Sequence, residues 1–299
     1  MGRTSPQNAK RSPKPVINAG KPLFIDKPMA ASLADVLTIF RLAQDKKVPI
    51  FSASSLRFAS GFQKARKGEL SAGSVMGCDV WSPCLLNDKH SDLFWYGIHG
   101  VETLFTIMGT GCQSVTRTQT DGTEFVVGVW KDGRIGTFRG IRTGKVGYGA
   151  VVFGNNGIAD AGSYEGYKPL VDEIARFFKT GLPPVNPQET IELIAFMEAA
   201  EQSKTKGVPV LIDQVLREAE NEKTITVQLN ISNTAKLTFN NQPVNVNELA
   251  QTLNDLTAGK PDHRVKVILI SEKDTSLESV QNVCNSLGNA TLANFIYDY

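Results

Sequence analysis

The chain is poor in the residues that usually announce chemistry. It has three histidines and four cysteines in 299 residues. The cysteines, Cys78, Cys84, Cys112 and Cys284, are scattered, and no two stand as Cys-x-x-Cys. That spacing argues against zinc and dithiol sites and leaves reduced, mostly buried thiols in a cytoplasmic protein. An excess of one charge is also missing: 32 basic residues face 30 acidic ones, for a net +2. Such a balance gives no electrostatic reason to expect nucleic acid or an anionic membrane as partner. No apolar run approaches the roughly 18 residues of a bilayer span. Arg3, Lys10, Arg11 and Lys14 are not followed by an apolar stretch, so no secretory signal is legible. Finally, no Gly-x-Gly-x-x-Gly run joins a strand to a helix. The nearest glycine cluster, Gly144, Gly147 and Gly149, precedes a strand pattern instead.

What is present is ordinary globular material. A 41% hydrophobic content suffices for one large or two ordinary domains. Residues 1–19 hold three prolines, polar side chains and the basic residues, a composition that predicts a disordered tail. Ser32-Leu33-Ala34-Asp35 is a helix-start signature, and Leu33, Val36, Leu37 and Phe40 follow at helical spacing. A strand is predicted at 49–53, a helix at 62–67, a strand at 75–80 and a helix from His99 to Met108, ended by Gly109. From 113 to 153 the pattern turns to strands, with a hairpin at Lys131-Asp132-Gly133-Arg134. Helices near 167–180 and 188–202 close this block. The charged stretch 217–223 reads as a linker. Beyond it, 224–299 follows the order ββαβαβ. The fold class is therefore α+β: an open, mostly antiparallel sheet with helices on one face over 20–217, a linker at 218–223, and a small α/β domain.

Three residue runs and one helix carry a resemblance. Gly20-Lys21-Pro22-Leu23-Phe24-Ile25-Asp26-Lys27-Pro28 reads as a buried strand delivering a Lys-Pro corner. With Phe94-Trp95-Tyr96-Gly97-Ile98-His99-Gly100-Val101-Glu102, Trp130-Lys131-Asp132-Gly133-Arg134 and the helix before Pro183-Pro184, it resembles the Gfo/Idh/MocA family of sugar and polyol dehydrogenases over about 16–217. The resemblance implies NAD or NADP as the ancestral cofactor and a sugar or polyol as substrate. It implies that Lys27 and Pro28 meet the nicotinamide, with Asp26 in place of the commoner Glu. Lys27 would stabilise charge on the reacting oxygen, and His99 would take the hydroxyl proton. The family carries an Asp four residues before this His; here Trp95 stands there. Glu102, one turn on, could orient His99. Arg57, Tyr96 and Tyr164 are candidates to bind substrate, with Trp130 and Tyr148 as further aromatics; each has a structural alternative, a salt bridge or a core position.

In that family a nucleotide-binding domain precedes the corner, whereas only the polar tail precedes it here. The expectation is a truncated family member with little or no hydride-transfer activity of its own. The alternative is a non-catalytic sugar- or protein-binding module. The bare face of the sheet is expected to pair in a homo-oligomer. The C-terminal block, with Leu237-Thr238-Phe239-Asn240-Asn241-Gln242-Pro243-Val244 and Pro261-Asp262-His263-Arg264-Val265, resembles the periplasmic domain of ExbD/TolR transport proteins. That resemblance implies a partner-binding module and a periplasmic setting, in conflict with the cytoplasmic one.

Overall fold

The computed structural model describes residues 12–88, 90–240, 242–258, 260, 263–288 and 295–297. The chain divides into two compact units, Met1–Arg217 and Glu218–Tyr299.

The larger unit begins with a short helix α1 (Lys14–Asn18), where the sequence predicted disorder. Pro13 and Pro15 suit a helix start, and Ile17 is fully buried, which supplies the apolar anchor that composition alone did not reveal. Strand β1 (Leu23–Asp26) pairs in parallel with β2 (Ile50–Ala53), register Leu23 with Ile50. Between them runs α2 (Leu33–Asp45), its N-terminus capped by Ser32 Oγ accepting the Asp35 N–H at 3.2 Å. A 3-10 turn (Ser55–Phe58) and α3 (Ser60–Lys67) follow. Gly68 ends α3 at φ 71°, a left-handed position that favours glycine.

A seven-stranded sheet dominates the unit. Its strands are β3 (Val75–Pro83), β4 (Cys112–Thr120), β5 (Thr123–Trp130), β6 (Ile135–Ile141), β7 (Gly149–Gly154), β8 (Gly157–Asp160) and β9 (Val210–Leu211). Their order is β8-β7-β3-β6-β5-β4-β9, and every pairing is antiparallel except β3 with β6. The Asp132-Gly133 turn joins β5 to β6 as its sequence predicts, with the Trp130 N–H donating to Arg134 O at 2.8 Å. Helix α4 (Ile98–Met108), preceded by a π-helical turn (Leu93–Gly97), packs against β3 and β6. Helix α5 (Lys168–Thr180) packs its Leu170 and Phe177 on Phe51. Helix α6 (Pro187–Lys206) lies against β4. Alternation along β5 buries Val126 and Trp130 on the helix side and leaves Phe125, Val127 and Val129 on the other, half-buried face.

Helix α7 (Ile212–Glu222) occupies the stretch whose charge predicted a linker. Its buried Ile212, Val215 and Ala219 recur at helical spacing beneath the charged residues, an amphipathic stripe that the charge count concealed.

The smaller unit holds a five-stranded sheet in the order β12-β11-β10-β13-β14. The strands are β10 (Thr224–Ile231), β11 (Leu237–Phe239), β12 (Gln242–Pro243), β13 (Arg264–Ser271) and β14 (Phe295–Tyr297), with helices α8 (Leu249–Leu256) and α9 (Leu277–Gly288). This is the expected ββαβαβ order with a short extra strand, β12. Leu229, Ile231, Leu249, Leu253, Val283 and Leu287 form its core. The tail 1–11, Asn241, and Pro261-Asp262 lie outside the described residues.

Candidate functional site

The Lys27-Pro28 corner follows β1 directly, and its peptide bond is cis. It places the half-buried Lys27 with its Nζ 5.9 Å from the Tyr96 ring centroid. Burial pulls the Lys27 amine below the ordinary lysine range, and Asp26 beside it pulls back. Tyr96 stands in the π-helical turn before α4, and its ring lies 5.9 Å from that of His99. The His99 ring is 6.0 Å from Tyr148, which is 5.8 Å from Tyr164; Tyr164 is 6.0 Å from Tyr167. Four segments distant in sequence thus assemble one lysine, one histidine and four tyrosines. Burial, together with the neighbouring tyrosines, pushes the Tyr148 phenol up.

His99 is held through Nδ1, 2.7 Å from Ser54 Oγ. Burial and the nearby Lys27 cation pull its pKa down to about 4. At neutral pH the imidazole is therefore uncharged. Trp95, four residues before His99, stacks on His90 at 5.0 Å.

The loop carrying Tyr164 and Tyr167 is fixed from α3. The Glu165 carboxylate accepts from the Ser60 N–H at 2.9 Å and from the Ser60 hydroxyl at 2.6 Å. A Cβ on Gly61 would stand 1.9 Å from the Ala161 carbonyl oxygen, so only glycine permits this approach without movement.

Arg57 lies in different surroundings. It is 3% exposed, and its guanidinium donates to Glu102 through Nε and to Glu189 through Nη1 at 2.7 Å. Arg66 adds a second pair to Glu189 at 2.6 Å. Burial opposes the Arg57 charge, but Glu102 and Glu189 more than offset it. The structure thus places Arg57 in a buried ion network, and the predicted role in meeting substrate gives way to the salt bridge. Glu102 likewise belongs to this network, its carboxylate held by Arg57 and by the Ser54 backbone N–H. Trp130 is core, 1% exposed, with its indole N–H on Gly109 O at 3.1 Å. A cavity of about 450 Å³ beside the network is lined by Arg57, Gln63, Arg66, Asp172, Arg176 and Glu189 among others, and none of Lys27, Tyr96, His99, Tyr148 or Tyr164 lines it. Of the cations on its lining, Arg57 and Arg66 pair with Glu189 and Arg176 with Glu173; Lys67 lines it too.

The sequence reading missed Ser54, Tyr167 and the second network around Arg117. Arg117, fully buried as a side chain, pairs with Glu124, Glu201 and Asp92, each at 2.8 Å. Burial pushes the Cys84 and Cys112 thiols up to about 12, so neither is a nucleophile at neutral pH. Among the described residues no cluster of three or more His, Cys, Asp or Glu could hold a metal.

The geometry matches known folds. A probable dehydrogenase from Thermotoga maritima superposes with TM-score 0.59 at 20% identity, covering 67% of this chain and 76% of its own. A myo-inositol dehydrogenase assigned in Sinorhizobium meliloti gives TM-score 0.60 at 17% identity, over 67% and 76%. An oxidoreductase from Agrobacterium radiobacter, solved with NAD+, L-tartaric acid and magnesium, gives 0.58 at 15% identity, over 71% and 79%. About two thirds of the chain thus has the fold of Gfo/Idh/MocA-type dehydrogenases. Residues 191–296 match the ExbD family, biopolymer transport protein ExbD/TolR. That match begins inside α6, well before the small unit to which the sequence reading confined it. No curated protein matches the chain significantly.

Proposed function

We propose that the larger unit binds a small sugar-like molecule at the Lys27–His99–tyrosine cluster and does not by itself transfer hydride. The cluster supports the binding half: a cation and an uncharged imidazole stand among four tyrosines, a composition suited to a hydroxylated, oxygen-rich ligand. The relatives include one described as a myo-inositol dehydrogenase and one solved with L-tartaric acid.

The residues present do not fit a dinucleotide. β1 and β2 form only a two-stranded parallel pair, and the segment after β1 is the Lys27-Pro28 corner, where a pyrophosphate needs glycines opening a helix. An NAD(P) site in the manner of the relatives therefore needs protein beyond these described residues, and no step through the cofactor is derived.

Calorimetric titration of the chain with inositols, aldoses and tartrate tests the reading. Saturable binding that weakens about tenfold or more in Lys27→Ala supports it. Absence of binding to all three classes overturns it.

In the smaller unit, the ExbD match supports a partner-binding role rather than catalysis. The larger sheet offers a self-association face. Ile135, Gly77, Phe153 and Ile158 are in register across β6, β3, β7 and β8, and the three large side chains are exposed. Sedimentation equilibrium should show an oligomer that Ile158→Glu dissociates. No described helix is long and apolar enough to cross a membrane.

A further inference from the structure

We infer that Ser54 fixes the neutral His99 imidazole in the tautomer with its proton on Nε2, so that His99 offers the ligand a hydrogen-bond donor and not a proton acceptor. This deepens the ligand-binding reading and rests on it for the ligand; the tautomer itself is a property of the free chain.

The argument is a count of protons and lone pairs. A serine hydroxyl has one proton to donate and two lone pairs to accept with. Ser54 is 1% exposed, and its Oγ already accepts the Leu56 N–H at 3.3 Å as the cap of the 3-10 turn. The remaining contact is the 2.7 Å bond to His99 Nδ1. If Nδ1 carried the proton, Oγ would accept twice. Its own proton would then be buried with no other acceptor among the hydrogen bonds of the described residues. Buried donors are seldom left so. If instead the hydroxyl donates to Nδ1, every group is satisfied. A neutral imidazole carries one proton, which then sits on Nε2.

Ser54 is held in place from its other side. Its backbone N–H is bound by the Glu102 carboxylate, which is clamped in turn by Arg57. The doubly protonated ring is opposed by burial and by Lys27. The buried ion network thus reaches His99 through one serine.

A consequence concerns ligand class. Lys27 and His99 share Tyr96 as a neighbour, and both present donors. Such a pair favours an oxygen that only accepts, in a ketone or carboxylate, over an alcohol. Keto-sugars and sugar acids should therefore bind more tightly than polyols of the same size.

The test is a long-range proton–nitrogen NMR correlation on the full chain with 15N-labelled histidine. His99→Gln assigns the His99 signals among the three histidines. At pH 7 the expected wild-type pattern is a protonated Nε2 with an unprotonated Nδ1. Ser54→Thr should retain it, and Ser54→Ala should give a mixture of tautomers. A proton on Nδ1 in the wild type overturns the inference, as does an unchanged pattern in a folded Ser54→Ala chain. If Ser54→Ala does not fold, the wild-type and Ser54→Thr spectra decide. Failure of every sugar class to bind would overturn the ligand reading while leaving the tautomer result standing, so the two are separable.

Discussion

Two polar clusters lie within a few residues of each other in sequence and do opposite things. Ser54 and Arg57 share one turn, as His99 and Glu102 share one helix. Arg57 and Glu102 are closed on each other and on Glu189, at 3, 4 and 7% exposure. Lys27, His99, Tyr96, Tyr148 and Tyr164 are half-buried, and the hydrogen bonds of their side chains are few: Ser54 with His99 at 2.7 Å, and Tyr164 with Tyr167. The first cluster has spent its charges on ion pairs within the protein, and Arg57 Nη2 is its one buried donor without a partner among the described residues. The second keeps its donors for something else. Burial alone therefore does not mark a functional charge; an unanswered donor in a half-open place does.

The largest effect should come from opening the closed cluster. Arg57→Met leaves Glu102 and Glu189 buried beside an apolar side chain, and we expect a loss of about 3–5 kcal/mol in urea denaturation. A loss below 1 kcal/mol would show that the network contributes little to the fold.

The half-open cluster should appear in the pH dependence. His99 is depressed from 6.5 to about 4 in the folded protein. Between those values the unfolded chain binds a proton that the folded chain refuses, so stability is full above about pH 6.5 and falls as pH drops toward 4. The loss through this group approaches about 3 kcal/mol. Urea midpoints at pH 7.5 and 4.5 should converge in His99→Gln relative to the wild type. An equal pH effect in both chains would place the titration elsewhere.

A smaller effect is expected where the tyrosine loop meets α3. Gly61→Ala forces the Ala161 carbonyl away, at about 1–3 kcal/mol. It should also weaken ligand binding by displacing Tyr164, which calorimetry would read. The smallest belongs to the exposed Lys168–Asp172 pair on α5, 2.6 Å apart. Lys168→Ala should cost less than about 0.5 kcal/mol, within the error of denaturation.

Much of the architecture was legible because its signals are local. The Ser32 cap, the Asp132-Gly133 turn, the Gly109 stop and the strand alternation each need only a few neighbouring residues. Lys27 and His99 were expected from motif resemblance, and Tyr96 and Tyr164 as aromatics that could stack on a sugar; the fold places Lys27 over the Tyr96 ring and links that ring through His99 and Tyr148 to Tyr164. What stayed hidden depends on distance through space. Whether Arg57 meets a ligand or Glu189 is decided by the placement of α6, 132 residues on. Ser54 looks like any strand-end serine until the 3-10 turn that it caps packs against α4. The stripe of α7 was masked by its charges, and Ile17 by the prolines around it.

The most direct test of the central claim is a titration of the intact chain with NADH, with and without saturating sugar ligand, read by tryptophan-to-nicotinamide energy transfer. The account predicts sugar binding that is indifferent to NADH and no saturable transfer. Saturable NADH binding that weakens in Lys27→Ala would contradict it, and would make the chain a cofactor-binding dehydrogenase in its own right.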